Sequence, residues 1–309
     1  MAKKRFVTFA AAIVMILAAL NVERESSSSE PVSGGSTTAS SVPESAVKSL
    51  ATPASGAEAC DARGGAPTRP NIVLFLADDL GYGDLGCFGH PMIKTPHLDA
   101  FAQQGVKLTQ CYAASAVCSP SRSAILTGRT PHRNGVFTWI AEGSPVHLRT
   151  SEITLPKVLK ESGYATCHSG KWHLNGLFND PKHPQPGDHG YEWWMATQNN
   201  AAPSHANPTN FVRNGERVGK LDGYSAPLVV DEAVTWLRTR RDRAKPFFLA
   251  VWTHEPHYPI KSDPKFKAQY PDLTDDIQRE HHANVTQMDH AFGMLMKTLD
   301  EQKLADSTF

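Results

Sequence analysis

Adjacent carboxylates are the first residues in the chain whose types suit charged chemistry. Asp78 and Asp79 directly follow the apolar run 72–77. Two neighbouring carboxylates are costly unless a cation pairs with them, and oxygen ligands of this kind suit Ca²⁺ or Mg²⁺. A solvated Asp-Asp turn explains the same dipeptide, and the two residues alone favour that simpler interpretation.

Two further segments place cations and proton carriers close together in sequence. Lys171 and His173 are two residues apart, so an extended chain would direct both side chains to one side. A surface loop with Trp172 packed inward is an equally good interpretation. His254 and His257 lie in a turn that two prolines stiffen. A zinc site at these histidines would lack a third ligand at a suitable spacing.

The most specific motif is Cys-Ser-Pro-Ser-Arg at 118–122, which is followed by Leu-Thr-Gly-Arg at 126–129. Pro120 suits the first turn of a helix. Cys118 would then lie at a helix N-terminus, where free N–H groups favour an anion. Arg122, one turn later, would face the same point. These residues alone predict a reactive thiol of low pKa; a small buried cysteine before a helix is the alternative.

Buried strands and amphipathic helices alternate around these motifs and must position them. Continuous apolar runs lie at 72–77, 247–252 and, more weakly, 164–167. Helical patterns lie at 95–105, 154–162, 227–241 and 284–303. The alternation predicts an α/β fold with a mostly parallel central sheet and helices on both faces. Ligands of such sheets bind at the carboxyl ends of the strands.

Composition narrows the classes of function. The chain has 31 basic and 31 acidic residues, so its formal net charge is zero. This balance argues against a nucleic-acid partner, because proteins that bind nucleic acids usually carry a basic excess. Five cysteines in 309 residues are too few for a disulfide scaffold. Apart from Cys118, the cysteines permit several pairings, and the sequence does not choose among them: Cys60, Cys87, Cys111 and Cys167.

The N-terminal residues resemble a targeting segment. A basic cluster at 3–5 precedes the apolar stretch 6–20, as in a secretory signal, although the cleavage site is poor. We therefore predict a signal peptide or an N-terminal membrane anchor at 1–22. Residues 23–69 are predicted to be a low-complexity disordered linker, and the folded body covers 70–309. We expect export to a periplasmic, lysosomal-type or extracellular location, either free or membrane-tethered.

Taken in order, the motifs resemble those of the type I, formylglycine-dependent sulfatases of the alkaline-phosphatase superfamily. The segments that match are 70–79, 118–129, 170–173 and 254–259. These segments are similar to those of arylsulfatases and N-acetylgalactosamine-6-sulfatases. The resemblance covers 70–309 and implies an alkaline-phosphatase-like fold. It also implies hydrolysis of an aryl or carbohydrate sulfate monoester.

The resemblance further implies a metal and a modified cysteine. Asp78 and Asp79 would bind a divalent metal, Ca²⁺ in preference to Mg²⁺. Cys118 would be converted to formylglycine by a formylglycine-generating enzyme or maturase, and its hydrate would be both metal ligand and nucleophile. The substrate would be a sulfated small molecule or polysaccharide.

The remaining site residues follow from the same resemblance. Arg122 would hold the hydrate, Lys171 would bind the sulfate, and His173 would assist the gem-diol. His257 would bind the sulfate or protonate the leaving oxygen. His254 competes for that role, because relatives differ over which histidine of this turn they use.

The sequence also departs from the family. The second pair of metal ligands, a later lysine and a C-terminal domain are not found in it, and Asp289-His290 lies inside a predicted helix. We expect 70–309 to be the N-terminal catalytic domain of a sulfatase, incomplete at its C-terminus, and the chain alone to be inactive. A phosphodiesterase or phosphonate monoesterase of the same superfamily, and an inactive fragment that kept the fold, are the alternatives.

Overall fold

The computed structural model describes residues 69–309. The predicted signal peptide or anchor and the linker up to residue 68 lie outside the described residues. The strands are β1 Ile72–Asp78, β2 Ala165–Lys171, β3 Trp193–Thr197, β4 Val212–Arg213, β5 Glu216–Arg217 and β6 Phe247–Pro256. The helices are α1 Pro96–Gln104, α2 Cys118–Thr127, α3 Pro131–Asn134, α4 Leu155–Glu161, α5 Ser225–Thr239, α6 Pro264–Lys267 and α7 Asp276–Glu301. Short 3₁₀ turns lie at Tyr82–Asp84, Gly86–Phe88, Pro186–His189 and Ala305–Ser307.

The strands form one six-stranded sheet in the order β1-β6-β2-β3-β4-β5. The first four strands in that order run parallel, and the short β4 and β5 are antiparallel. The predicted α/β fold with a mostly parallel sheet is thereby confirmed. Because β1, β6 and β2 are adjacent and parallel, the three motifs at their carboxyl ends meet at one edge of the sheet.

Successive strand residues enter two separate cores, which explains the continuous apolar runs. Val73 and Phe75 pack with residues of α1, α5 and α7 on one face. Leu74 and Leu76 pack on the other face with Leu126 of α2 and with buried aromatic rings. Both faces of the sheet are therefore covered, as the sequence predicts.

Several elements differ in extent from the sequence predictions, and one strand was not predicted. The strand predicted at 164–167 continues as β2 to Lys171, so Lys171 ends a strand and does not lie in the loop after it. The helix predicted at 284–303 begins at Asp276, because the Asp275 side chain accepts the first backbone N–H groups. Strand β3 has no counterpart among the predicted elements, and its residue Trp194 is buried in the core.

In the part of the chain that the structure describes, the outer side of β1 pairs with other residues only at its start. The backbone N–H of Phe309 donates to the carbonyl of Asn71, and Val73 donates to the carbonyl of Phe309. Asn71 and Thr308 form a parallel bridge. Among the described residues, the sheet pairing of β1 beyond this point is with β6 alone. None of the described helices is long and apolar enough to cross a membrane.

Among the residues that the structure describes, five histidines are at most 1% exposed, and burial lowers the pKa of each. We call them the buried histidines: His168, His173, His189, His205 and His254. Asp289 lies inside α7, as predicted, and accepts the backbone N–H groups of His97 and Leu98, so it caps α1. This contact gives Asp289 a structural role in joining α7 to α1.

Candidate active site

A buried carboxylate between two cations forms the centre of the site. Asp78 ends β1, Arg122 lies one turn into α2, and Lys171 ends β2. Oδ2 of Asp78 accepts from Nζ of Lys171 at 2.6 Å, and Oδ1 accepts from Arg122 at 2.9 Å. All three side chains are at least 96% buried. Gly170 permits this close approach of β2 to β6, since a Cβ at its φ of +114° would overlap the carbonyl of Trp252.

The two cations fix the charge of this centre. Burial alone would raise the pKa of Asp78, but Lys171 and Arg122 hold it well below the usual range of an aspartate. Arg122 is held in turn by the carbonyl oxygen of Lys171 at 2.8 Å and by the ring of Trp252, 5.1 Å from its guanidinium carbon. Its guanidinium is therefore oriented before any substrate arrives.

Cys118 is the first residue of α2 and faces the same carboxylate. Its thiol donates to Oδ1 of Asp78 at 3.3 Å, and Nζ of Lys171 lies 3.5 Å from its sulfur. The prediction of a low-pKa thiol is wrong. Burial, followed by the charge of Asp78, raises the pKa of Cys118 to about 11, although Lys171 and Arg122 oppose this rise. The thiol is therefore protonated at neutral pH and is a poor nucleophile.

Asp79 and His257 complete the accessible side of the site. Nε2 of His257 lies 3.4 Å from Oδ2 of Asp79. Burial and the neighbouring charge of Asp78 raise the pKa of Asp79. Asp79 has a left-handed φ of 60°, which turns its carboxylate out of the line of β1. Ligand atoms of Asp78, Cys118 and His257 lie within 4.8 Å of one another.

His254 does not reach this centre. It is fully buried, Thr197 hydrogen-bonds to its Nε2 at 2.7 Å, and Ser225 hydrogen-bonds to its Nδ1 at 2.6 Å. With both ring nitrogens engaged, His254 can bind neither zinc nor a substrate in this arrangement. Of the two histidines that the sequence left as alternatives, His257 is the one that faces Asp79.

His173 lies beside the centre, and one of its ring nitrogens is engaged outside the centre. Its Nε2 donates to the carbonyl oxygen of Ile140 at 3.0 Å, and its Nδ1 is buried without a partner among the described residues. Burial, and then the charges of Lys171 and Arg122, lower the pKa of His173 to about 2. His173 is therefore neutral. The extended chain that would direct Lys171 and His173 to one side is not seen, because the backbone of His173 has a left-handed φ of 56°.

Asn200, which the sequence analysis does not assign to the site, contacts it as well. Its Oδ1 accepts from Nζ of Lys171 at 3.2 Å, and its Nδ2 lies 3.0 Å from Nδ1 of His257. Asn200 follows β3, and that strand was not predicted. Its position beside Lys171 therefore had no signal in the sequence.

The donor set suits a divalent cation with a preference for oxygen ligands. Asp78 and Asp79 place two carboxylates side by side, and burial, followed by the charge of Asp78, raises the pKa of Asp79. Ca²⁺ takes about six to eight oxygen ligands in a flexible geometry, whereas Mg²⁺ requires a near-ideal octahedral geometry. The described carboxylates of this centre supply only part of either set.

An α/β sheet with this cysteine, carboxylate and lysine constellation at its strand ends agrees with an alkaline-phosphatase-like fold. The sulfatase family model matches residues 70–309, and the chain belongs to the type I sulfatases of the alkaline-phosphatase superfamily.

Individual relatives agree with this assignment. The chain is 32% identical over 270 residues to N-acetylgalactosamine-6-sulfatase of Rattus norvegicus, across 79% of the chain and 49% of that protein. It is 32% identical over 258 residues to an ulvan-active sulfatase of Formosa agariphila, across 78% and 49%. A crystal structure of Ps i-CgsB in complex with k-i-k-neocarrahexaose aligns with a TM-score of 0.71 at 28% identity, covering 78% of the chain and 57% of that structure. The chain spans about half the length of the curated relatives it matches.

Proposed function

We propose that this chain provides the nucleophile and the sulfate-binding half of a sulfuric ester hydrolase. One observation carries the proposal: Cys118, Asp78, Arg122 and Lys171 meet in a single buried cluster at the carboxyl ends of β1 and β2. The named relatives are sulfatases, which supports the same reaction.

Two groups would supplement these side chains. Oxidation of Cys118 to formylglycine would supply a hydrated aldehyde whose hydroxyl attacks the sulfur atom, and the unreactive, protonated state of the thiol is consistent with a need for it. A divalent metal, Ca²⁺ in preference to Mg²⁺, would be held by Asp78 and Asp79 and would supply a Lewis acid.

The cations of the chain stabilise the negative charge that develops on the sulfate oxygens. Lys171 and Arg122 are buried, and their positions are fixed by Asp78 and by backbone and ring contacts. Fixed charges in a water-poor site require little reorganisation during the reaction, so they stabilise the transition state more than exposed charges would. Lys171 binds the sulfate, and Arg122 orients the group at position 118.

The two histidines of the site have different roles. His257 is accessible and lies beside Asp79, so it is placed to bind a sulfate oxygen or to protonate the leaving oxygen. His173 presents the unpartnered Nδ1 as a hydrogen-bond acceptor, since its Nε2 donates to Ile140. We propose that it orients a hydroxyl at position 118; a base whose pKa is near 2 removes protons poorly at neutral pH.

The substrate class that we propose is a sulfated carbohydrate. Two relatives are named for amino-sugar and ulvan substrates, and the crystal structure of Ps i-CgsB holds a neocarrahexaose. We further propose export of the protein and maturation by a formylglycine-generating enzyme, from the signal-like pattern at 1–22 and the motif at 118–122.

The sequence led us to expect that the chain alone is inactive, whereas the preassembled cluster of Cys118, Asp78, Arg122 and Lys171 favours turnover. Turnover of an aryl sulfate decides between these two expectations and tests the proposal directly. The full chain, co-expressed with a formylglycine-generating enzyme and supplied with Ca²⁺, should release the phenol from an aryl sulfate faster than from an aryl phosphodiester. Cys118→Ala serves as the control and should be inactive. Faster hydrolysis of the phosphodiester would contradict a sulfatase, and equal rates for Cys118→Ala would contradict the assigned nucleophile.

A further inference from the structure

Asn200 joins two side chains that the proposed function uses for sulfate. Its Oδ1 accepts a hydrogen bond from Nζ of Lys171 at 3.2 Å. Its Nδ2 lies 3.0 Å from Nδ1 of His257 and donates to the carbonyl oxygen of Tyr258 at 3.0 Å. We propose that Asn200 is a positioning residue that sets the spacing of Lys171 and His257 for the sulfate group; this inference rests on the proposed function.

The position of the Lys171 ammonium depends on how many of its N–H groups have a hydrogen-bond acceptor. The ammonium carries three N–H donors, and three acceptors surround it: Asp78 at 2.6 Å, Asn200 at 3.2 Å and the sulfur of Cys118 at 3.5 Å. Without Asn200, the ammonium would follow its strongest partner, the Asp78 carboxylate. The amide oxygen of Asn200 draws the third N–H toward the accessible side, where His257 lies.

The turn that carries Asn200 is itself fixed. The side chain of Asn210 donates to the carbonyl oxygen of Asn200 at 2.9 Å. The hydroxyl of Thr197 donates to the carbonyl oxygen of Asn199 at 2.5 Å. His254 holds Thr197 through its Nε2. His254 therefore stabilises the turn through Thr197. This role accounts for a buried histidine in the same motif as the accessible His257.

The same turn offers a matched control. Asn199 is the neighbouring residue of identical type, and its side-chain oxygen has no hydrogen-bond partner among the described residues. Asn199→Ala should therefore leave Lys171 and His257 in place. Asn200→Ala removes both of their contacts. Asn200→Asp keeps the acceptor for Lys171 but places an oxygen against the carbonyl of Tyr258.

The test measures inorganic sulfate binding by calorimetry, and the kcat and KM for an aryl sulfate, on the full chain. Asn200→Ala should weaken sulfate binding and lower kcat/KM by about 10- to 100-fold, because misplacing a binding group by about 1 Å can cost 10²-fold. Asn200→Asp should lie between Asn200→Ala and the wild type in kcat/KM. Asn199→Ala should match the wild type, and thermal unfolding should show that all variants fold.

Two outcomes would overturn the inference: equal sulfate affinity and kcat/KM in Asn200→Ala and Asn199→Ala, or no sulfate binding by the wild type. The proposed function can fail separately. If the wild type binds sulfate through Asn200 but turns over no sulfate ester, the hydrolase is contradicted and the positioning role stands. If Asn200→Ala hydrolyses the ester like the wild type, the positioning role is contradicted and the hydrolase stands.

Discussion

Replacing each of the two adjacent aspartates by asparagine should change stability in opposite directions. Asp78 is the anion that two buried cations face, at 2.6 and 2.9 Å. Its lowered pKa means that it contributes stability above the unfolded value of about 3.9. Asp78→Asn would leave Lys171 and Arg122 as two like charges in the interior.

The magnitude follows from the cost of breaking a buried ion pair, about 3–5 kcal/mol when one partner is removed. A domain of 150–250 residues loses about 2–4 °C in Tm for each kcal/mol. Asp78→Asn should therefore lower Tm by about 6–20 °C. Asparagine keeps the shape and can still accept one hydrogen bond, so the lower half of this range is expected.

Asp79→Asn is the matched control, and it should raise Tm. The pKa of Asp79 is raised by burial and by Asp78, so its charge destabilises the folded chain at neutral pH. Asparagine also tolerates the left-handed φ of 60° at this position. Both variants are measured by thermal unfolding at pH 7.5 in a chelator. A Tm for Asp78→Asn equal to or above that of the wild type would refute the electrostatic account of the centre.

Three further outcomes are expected. Ca²⁺ at about 100 times its Kd should stabilise the wild type by about 2.7 kcal/mol; in Asp79→Asn the shift should be much smaller, and an equal shift would place the metal elsewhere. Lys171→Ala should lower kcat/KM for an aryl sulfate by about 10²- to 10³-fold, and a loss below tenfold would contradict its role. Stability should fall as the pH drops from about 6.5 toward 4, because the buried histidines take up protons only on unfolding. The raised pKa values of Glu255, about 7, and Asp289, about 6, oppose this trend and reduce its slope. A urea midpoint at pH 5 equal to that at pH 7.5 would contradict it.

The sequence predicted the sheet because its central strands are buried on both faces. The apolar runs at 72–77 and 247–252 have no polar alternation, and the structure covers each side with a separate core. The strand predicted from the shorter pattern at 164–167 continues to Lys171 in the structure, through polar residues that lie in the interior. One of them is Ser169, whose hydroxyl donates to the carbonyl oxygen of Val229. Local hydropathy carries no signal for such a strand end.

The sequence predicted which residues form the site more accurately than it predicted the contacts that those residues make. Strand-end carboxylates, the Cys118 motif and Lys171 could be found because parallel strands bring their carboxyl ends together. The low thiol pKa was predicted from the helix N-terminus alone, and the burial and the Asp78 charge that reverse it depend on tertiary packing. The engagement of His254 by Thr197 and Ser225 likewise depends on elements distant in sequence.

The rate of aryl sulfate hydrolysis as a function of modification at Cys118 tests the central claim most directly. The full chain is prepared with and without a formylglycine-generating enzyme, and mass spectrometry of the peptide that contains Cys118 gives the fraction converted to aldehyde. The account predicts a rate proportional to that fraction and close to zero for the unmodified thiol. Hydrolysis at equal rates in both preparations, or none in a fully converted and Ca²⁺-loaded preparation, would contradict it.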